Sequence, residues 1–177
     1  MQNRVTVAKQ LEDDVFGFCK VAKKDKKPFE PGWSKKPYKW NDPDLQKWLD
    51  AGGNYGCLGG HGDLVIFDAD DLARLEELGV MALLPTETLT IRTPGKGGKH
   101  VYMICPGIEK KMALYDPEKT TTDKNGKKVY AHVADLVAMG MQAVGPNSVR
   151  EITREEGSEI RAYEIIKDLP IAHITKD

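Results

Sequence analysis

Three aspartates and one histidine stand in surroundings that ask for chemistry. Asp68 and Asp70 close the stretch Leu64-Val65-Ile66-Phe67-Asp68-Ala69-Asp70, whose apolar start reads as a buried strand. Residues i and i+2 of a strand point to the same side, about 6.5–7 Å apart along the chain. Two carboxylates so placed repel, by up to about 4 kcal/mol if they approach to ~4 Å at an effective dielectric near 20. A divalent cation reverses the sign of that interaction, and hard oxygen ligands suit Mg²⁺ or Mn²⁺. The alternative is that these acids only cap the following helix. Asp71 alone can do that, and capping needs one acid rather than three.

His100 follows a glycine-lysine loop in "RTPGKGGKHVYM" (92–103). Flexible backbone, Lys96 and Lys99 suit a phosphate group. A P-loop is excluded, because it would need glycine at Thr93 and Ser or Thr at His100, and a helix rather than a strand afterwards. An ordinary hairpin loop with a structural histidine is the alternative. Asp135 sits among Val133, Ala134, Leu136, Val137 and Ala138. A charge there is costly without a partner. That partner is either a nearby lysine or a metal shared with Asp68 and Asp70.

The elements that must position these groups follow from pattern. Val7, Leu11, Val15, Phe18 and Val21 recur at helical spacing and predict a helix over 5–22. "KKDKKPFEPGWSKKPYKW" (23–40) holds three prolines and seven lysines and reads as loop. Asn41 or Asp42 caps a helix that runs to the glycines at 52–53. "YGCLGG" and "DLVIFDAD" read as a strand pair across a turn at 59–62, and Asp71 caps a short helix closed by Gly79. Strands follow at 88–93 and 100–104. Two more are expected in 129–148, broken near Met139-Gly140, and a last one at 159–166. Asn125-Gly126 marks a tight turn. Helices first and strands later predict an α+β fold, as a single domain over 1–177.

Composition narrows the class. Hydrophobic residues at 40% and charged residues at 30% are ordinary for a globular chain. No apolar run approaches the roughly 20 residues of a membrane span, and the N-terminus lacks a signal peptide's uninterrupted apolar centre. Cys19, Cys57 and Cys105 are odd in number and far apart, so neither a disulfide framework nor a zinc site is expected. An intracellular, cytoplasmic protein without a membrane partner is the expectation. Net charge is −1, against a general polyanion binder, yet residues 1–40 carry ten Lys/Arg and five Asp/Glu. A basic entry segment on an acidic body can seat nucleic acid beside a metal site, or be a solvated lysine-rich loop.

The order of these signals is more specific than any one of them. D-x-D at a strand end, then "TPGKGGKHVY", then a strand aspartate followed by "GMQAVGPNS", resembles the archaeo-eukaryotic primase superfamily. The likeness is to the bifunctional primase/polymerase domain of plasmid, viral and phage replication proteins. "KKPYKW", "NYGCLGG", "LPTETLTIRT" and Tyr163 extend it over roughly residues 25–170. The resemblance implies a DNA primase/DNA polymerase, a nucleotidyl transferase with two divalent metals on Asp68, Asp70 and Asp135 and with His100 on the nucleotide triphosphate. It implies an N-terminal α/β module packed on a smaller sheet like the RNA-recognition motif, with the active site between them. Where relatives usually have Ser-x-His this chain has Gly98-Lys99-His100, so Lys99 or loop amides replace a hydroxyl. Arg92, Thr93, Lys96 and Lys99 are expected along the triphosphate, Asn147 and Ser148 near the nucleotide, and Lys35 and Lys36 on template phosphates. DNA template, primer and (d)NTPs are the implied partners, with a helicase domain or subunit beside them. A metal-dependent nuclease and a non-catalytic nucleic-acid or nucleotide binding module are the alternatives.

Overall fold

The apolar run at 64–67 becomes the middle of a large sheet. The computed structural model describes residues 4–95 and 97–176. In chain order its strands are β1 (Phe18–Val21), β2 (Asn54–Leu58), β3 (Leu64–Ala69), β4 (Thr90–Arg92), β5 (Lys99–Ile104) and β6 (Met112–Thr122). They continue with β7 (Lys128–Val137), β8 (Gln142–Val144), β9 (Val149–Arg154), β10 (Gly157–Ala162), β11 (Glu164–Lys167) and β12 (Ala172–His173). Among the described residues the α-helices are two short ones, α1 (Pro43–Asp50) and α2 (Leu72–Glu77).

The main sheet runs β11-β4-β5-β3-β7-β6, antiparallel throughout, and β12 adds in parallel where β5 extends past β4. β1, β2 and β8 form a second antiparallel sheet, and β9 pairs with β10 as a hairpin. The expected α+β architecture, an α/β module beside a smaller sheet, is therefore corrected: the fold is mostly antiparallel β. The helix expected over 5–22 is a single turn at Lys9–Leu11 followed by β1. Its apolar residues do point inward, but they do so along extended chain. Val5, Val7, Leu11, Phe18 and Val21 are buried, whereas Val15 stands 53% exposed in a turn where Asp13 accepts the Val15 N–H. The ladder to β2 satisfies the backbone that a helix would have satisfied internally. β2 and β3 are likewise not a pair, for β2 joins the small sheet and β3 the large one.

Both helices start where the sequence marks them. The Asp42 side chain accepts the Asp44 N–H with Pro43 in the first turn, and Asp71 accepts the Arg74 N–H. The hairpin at Asn125-Gly126 joins β6 to β7, with Gly126 at φ +80°. Tyr163 breaks the expected last strand into β10 and β11.

Strand alternation sorts the core into two layers. Leu64 and Ile66 of β3, Tyr102 of β5, Ile91 of β4 and Val137 of β7 pack with Phe18, Tyr55 and Cys57 of the small sheet. Val65, Phe67, Val101 and Met103 face the other way, onto Leu75 of α2. The large sheet is thus covered on both sides. Along its first face β3 reads Leu64, Ile66, Asp68: the side turns polar where the strand leaves the shelter of the small sheet.

Candidate metal and nucleotide site

Register brings the expected residues into one row. Asp68 lies opposite His100 of β5 on one side and opposite Asp135 of β7 on the other. Cross-strand partners share a face, so three residues spread over 68 positions of sequence project together. His100 Nε2 is 3.3 Å from Asp68 Oδ1. Asp70, just past the end of β3, is held by the bond its N–H donates to the Val133 carbonyl at 3.0 Å, with the Asp71 N–H on the same oxygen at 3.1 Å.

A fifth residue, His132, completes the cluster. Its Nδ1 is 3.4 Å from Asp70 Oδ2 and its Nε2 is 3.2 Å from Asp135 Oδ1. Residues three apart in a regular strand face opposite ways. Here the pairing with β6 passes from Leu114↔Ala134 to Tyr115↔His132, which leaves Val133 unpaired. That bulge restores His132 to the side of Asp135. Sequence alternation would have assigned His132 to the other face, and only this irregularity reveals it.

The electrostatics favour a cation. Burial raises the Asp70 carboxyl, and Asp68 and Asp135 push it further up, with His132 and Lys26 opposing only in part. Burial would also raise Asp68, but the neighbouring His100 outweighs it and holds that carboxyl below its usual value. Ligand atoms of Asp70, His132 and Asp135 all lie within 4.8 Å of one another. Carboxylate oxygens with one imidazole nitrogen suit Mn²⁺ or Mg²⁺, and the clustered negative charge fits such an ion. Cys19, Cys57 and Cys105 are buried free thiols, and none of them lines this site.

The cluster opens on a cleft of about 1000 Å³. Asp68, Asp70, His100 and His132 line it, with Thr93–Gly95 and Gly97–Gly98 of the glycine loop along one wall. Lys26, Arg150 and Tyr163 line it as well. Lys26 and Arg150 come from separate segments tied together by Asn54, which is fully buried. The Asn54 amide donates to the carbonyls of Ala22, Asp25 and Val149 and accepts the Val149 N–H. Burial pushes the Tyr163 phenol up to about 12, with Arg150 opposing, so it stands as an O–H donor at neutral pH. His100 is 3% exposed, and its Nδ1 has no hydrogen-bond partner among the described residues.

Gly98 sets the wall's closeness. A Cβ there would lie 2.3 Å from the Ala69 carbonyl oxygen, so only glycine lets the loop meet the tip of β3. Thr93 N–H donates to the Gly98 carbonyl at 2.9 Å and closes the loop.

Other expected residues stand elsewhere. Arg92 lies in a second cleft of about 510 Å³ beyond the loop, its guanidinium 3.0 Å from Glu164. Lys99 alternates with His100, pairs across from Ala69 and does not line the main cleft. Lys96 lies outside the described residues. Ser148 is fully buried, with its hydroxyl 3.5 Å from the Tyr55 nitrogen, and Asn147 takes a left-handed turn with its amide toward the Thr6 carbonyl. Neither lines the cleft. Lys35 and Lys36 are exposed and away from it, and Lys26 is the loop lysine that reaches it. The signal missed for Lys26 and Arg150 is tertiary: each is an ordinary cation until Asn54 draws their segments together. Among the described residues no helix is long and apolar enough to cross a membrane. Set against models of known families and against curated proteins, the chain finds no match in either.

Proposed function

We propose that the chain is a metal-dependent nucleotidyl transferase, a template-directed DNA polymerase or primase acting on (d)NTPs. The observation that carries this reading is the row Asp135–Asp68–His100 across three adjacent strands, joined by Asp70 and His132, with cations facing it across one cleft. The motif order that resembles the primase superfamily supports the same chemistry, and the reading does not rest on that superfamily's architecture.

Asp68, Asp70 and Asp135, with His132 beside them, hold the divalent ions. Bound there, Mg²⁺ or Mn²⁺ supplies stabilisation of negative charge at the attacking and leaving oxygens of an in-line displacement. Lys26 and Arg150 bind the triphosphate's charge, and the amides of Gly95, Gly97 and Gly98 along the cleft wall approach the same oxygens. His100 keeps Asp68 oriented through Nε2 and lines the cleft where the triphosphate lies. The rate gain comes from positioning and electrostatics, in a cleft whose groups are already in place. Three buried free thiols suit a reducing interior, where replication of cellular, plasmid or viral DNA takes place with a helicase alongside.

A second reading has its own observation. His132 between two carboxylates is an imidazole placed to take a proton from water, which would make the site a metal-dependent nuclease. Primed template, dNTPs and Mn²⁺ or Mg²⁺ separate the two. The expected result is primer extension that falls at least about a hundredfold in Asp68→Ala, with the fold intact. His100→Ala should weaken nucleotide binding about ten- to a hundredfold and Mn²⁺ affinity less, because Asp70, His132 and Asp135 remain clustered without it. Products shorter than the primer, formed without dNTPs, establish the nuclease instead. Normal extension by an Asp68→Ala/Asp70→Ala double variant would remove the chemistry from this carboxylate site.

A further inference from the structure

The β6–β7 hairpin extends beyond the site, and its role is not explained by holding His132 and Asp135. On β7 the exposed side alternates as Lys128, Tyr130, His132, the same side that faces the metal-ligating carboxylates. On β6 Tyr115 lies opposite His132, its ring edge-on to the imidazole at 5.7 Å, and Thr120 lies opposite Tyr130. Tyr115 and Tyr130 are 56% and 57% exposed, which a hydrophobic core does not account for.

Charge on the hairpin is one-sided. Lys110, Lys111, Lys119, Lys124, Lys127 and Lys128 are all exposed, and among the described residues none is within ion-pair distance of a carboxylate. Of the acids, Asp116 and Glu118 are occupied by Arg74, Asp123 accepts the turn amides of Asn125 and Lys127, and Glu109 is exposed beside Lys110 and Lys111, outside the strands. Exposed rings between unpaired lysines, with Thr120 and Thr122 rather than aliphatic residues around them, suit a polyanion that carries flat unpaired bases. A double helix hides its base faces, and a protein partner would gain little from so polar a surround.

We propose that this face binds single-stranded nucleic acid, bases stacked on Tyr130 and Tyr115 and backbone on the lysines, and leads the strand to the carboxylate cluster. The direction of travel rests on the polymerase reading; the binding itself does not. Affinity for a labelled oligo-dT and for a duplex of equal length is read by fluorescence anisotropy at two salt concentrations, with wild type, Tyr130→Ala, Tyr130→Phe, Tyr115→Ala and Lys127→Ala/Lys128→Ala. Tyr130 is half exposed, so its truncation leaves the core untouched, and melting temperatures confirm folding. The expected result is preference for the single strand, a loss of roughly five- to a hundredfold in Tyr130→Ala, and affinity near wild type in Tyr130→Phe. The double lysine variant should lower the salt slope by about 1.4. Equal affinity in Tyr130→Ala and wild type, equal binding of the duplex, or no binding by wild type overturns the proposal. Primer extension by wild type together with unaltered strand binding in Tyr130→Ala leaves the polymerase standing and removes the hairpin. Strand binding as expected without any extension does the reverse.

Discussion

Asn54→Ala should be the most damaging polar substitution in the protein. The amide has two N–H donors and one oxygen, so it satisfies at most two of the three carbonyls around it and the Val149 N–H at once, three bonds in all. At a net value of about 1 kcal/mol each, with buried partners left unsatisfied, the loss comes to roughly 3 kcal/mol. In a chain of this length that is a fall in Tm of roughly 6–12 °C. The same bonds hold the loop carrying Lys26 against the start of β9, which carries Arg150, so nucleotide binding should weaken per folded molecule as well. Asn54→Asp should be at least as harmful, since it loses both donors and buries a charge. Urea unfolding followed by tryptophan fluorescence gives the stability, and nucleotide titration well below the new midpoint gives the affinity. A loss under about 1 kcal/mol, or full nucleotide affinity in the folded variant, would refute the idea that one amide fastens both cations.

Gly98→Ala and Gly97→Ala should separate clearly. The first drives a methyl into the Ala69 carbonyl and should disorder the tip of β3 and lower metal affinity, whereas the second meets open space at φ +81° and costs about 1 kcal/mol of stability. Mn²⁺ titration of both variants reads the difference. Asp116, gripped by the Arg74 guanidinium, is held well below the usual carboxylate range. A depressed folded value means stability present above the unfolded value of about 4 and lost as pH falls below it toward the folded one. Acid titration of stability should therefore show a limb below about pH 4 that Asp116→Asn flattens; an unchanged limb would show the pair to be inert.

Much of the site was legible because strands are simple. An apolar run ending in D-x-D, a histidine opening a strand and an acid inside an apolar strand each mark a buried face turning polar, and antiparallel register did the rest. Helix caps at Asp42 and Asp71 and the turn at Asn125-Gly126 are local chemistry and emerged as read. The helix expected over 5–22 was not, because the spacing of Val7, Leu11, Phe18 and Val21 fits any inward-facing chain and β2 offered a ladder. Ser148 and Asn147 fell to structural duty for a similar reason: a turn at the foot of a strand needs hydroxyls and left-handed residues whether or not a ligand is near. Lys26 and Arg150 depend on Asn54, whose contacts reach 95 residues along the chain.

The unpaired Val133 acts as a parity bit. A β-ladder stores orientation as odd or even, and a single extra residue inverts the assignment of everything beyond it. Measured from Asp135, the bulge flips His132, Tyr130 and Lys128 together onto the ligand side. Deleting Val133 would leave every one of those residue types in the sequence and turn the whole outer strand to face away. The content of the site is thus written in residue identities, but its assembly is written in a count, and an insertion or deletion here would be more consequential than most substitutions.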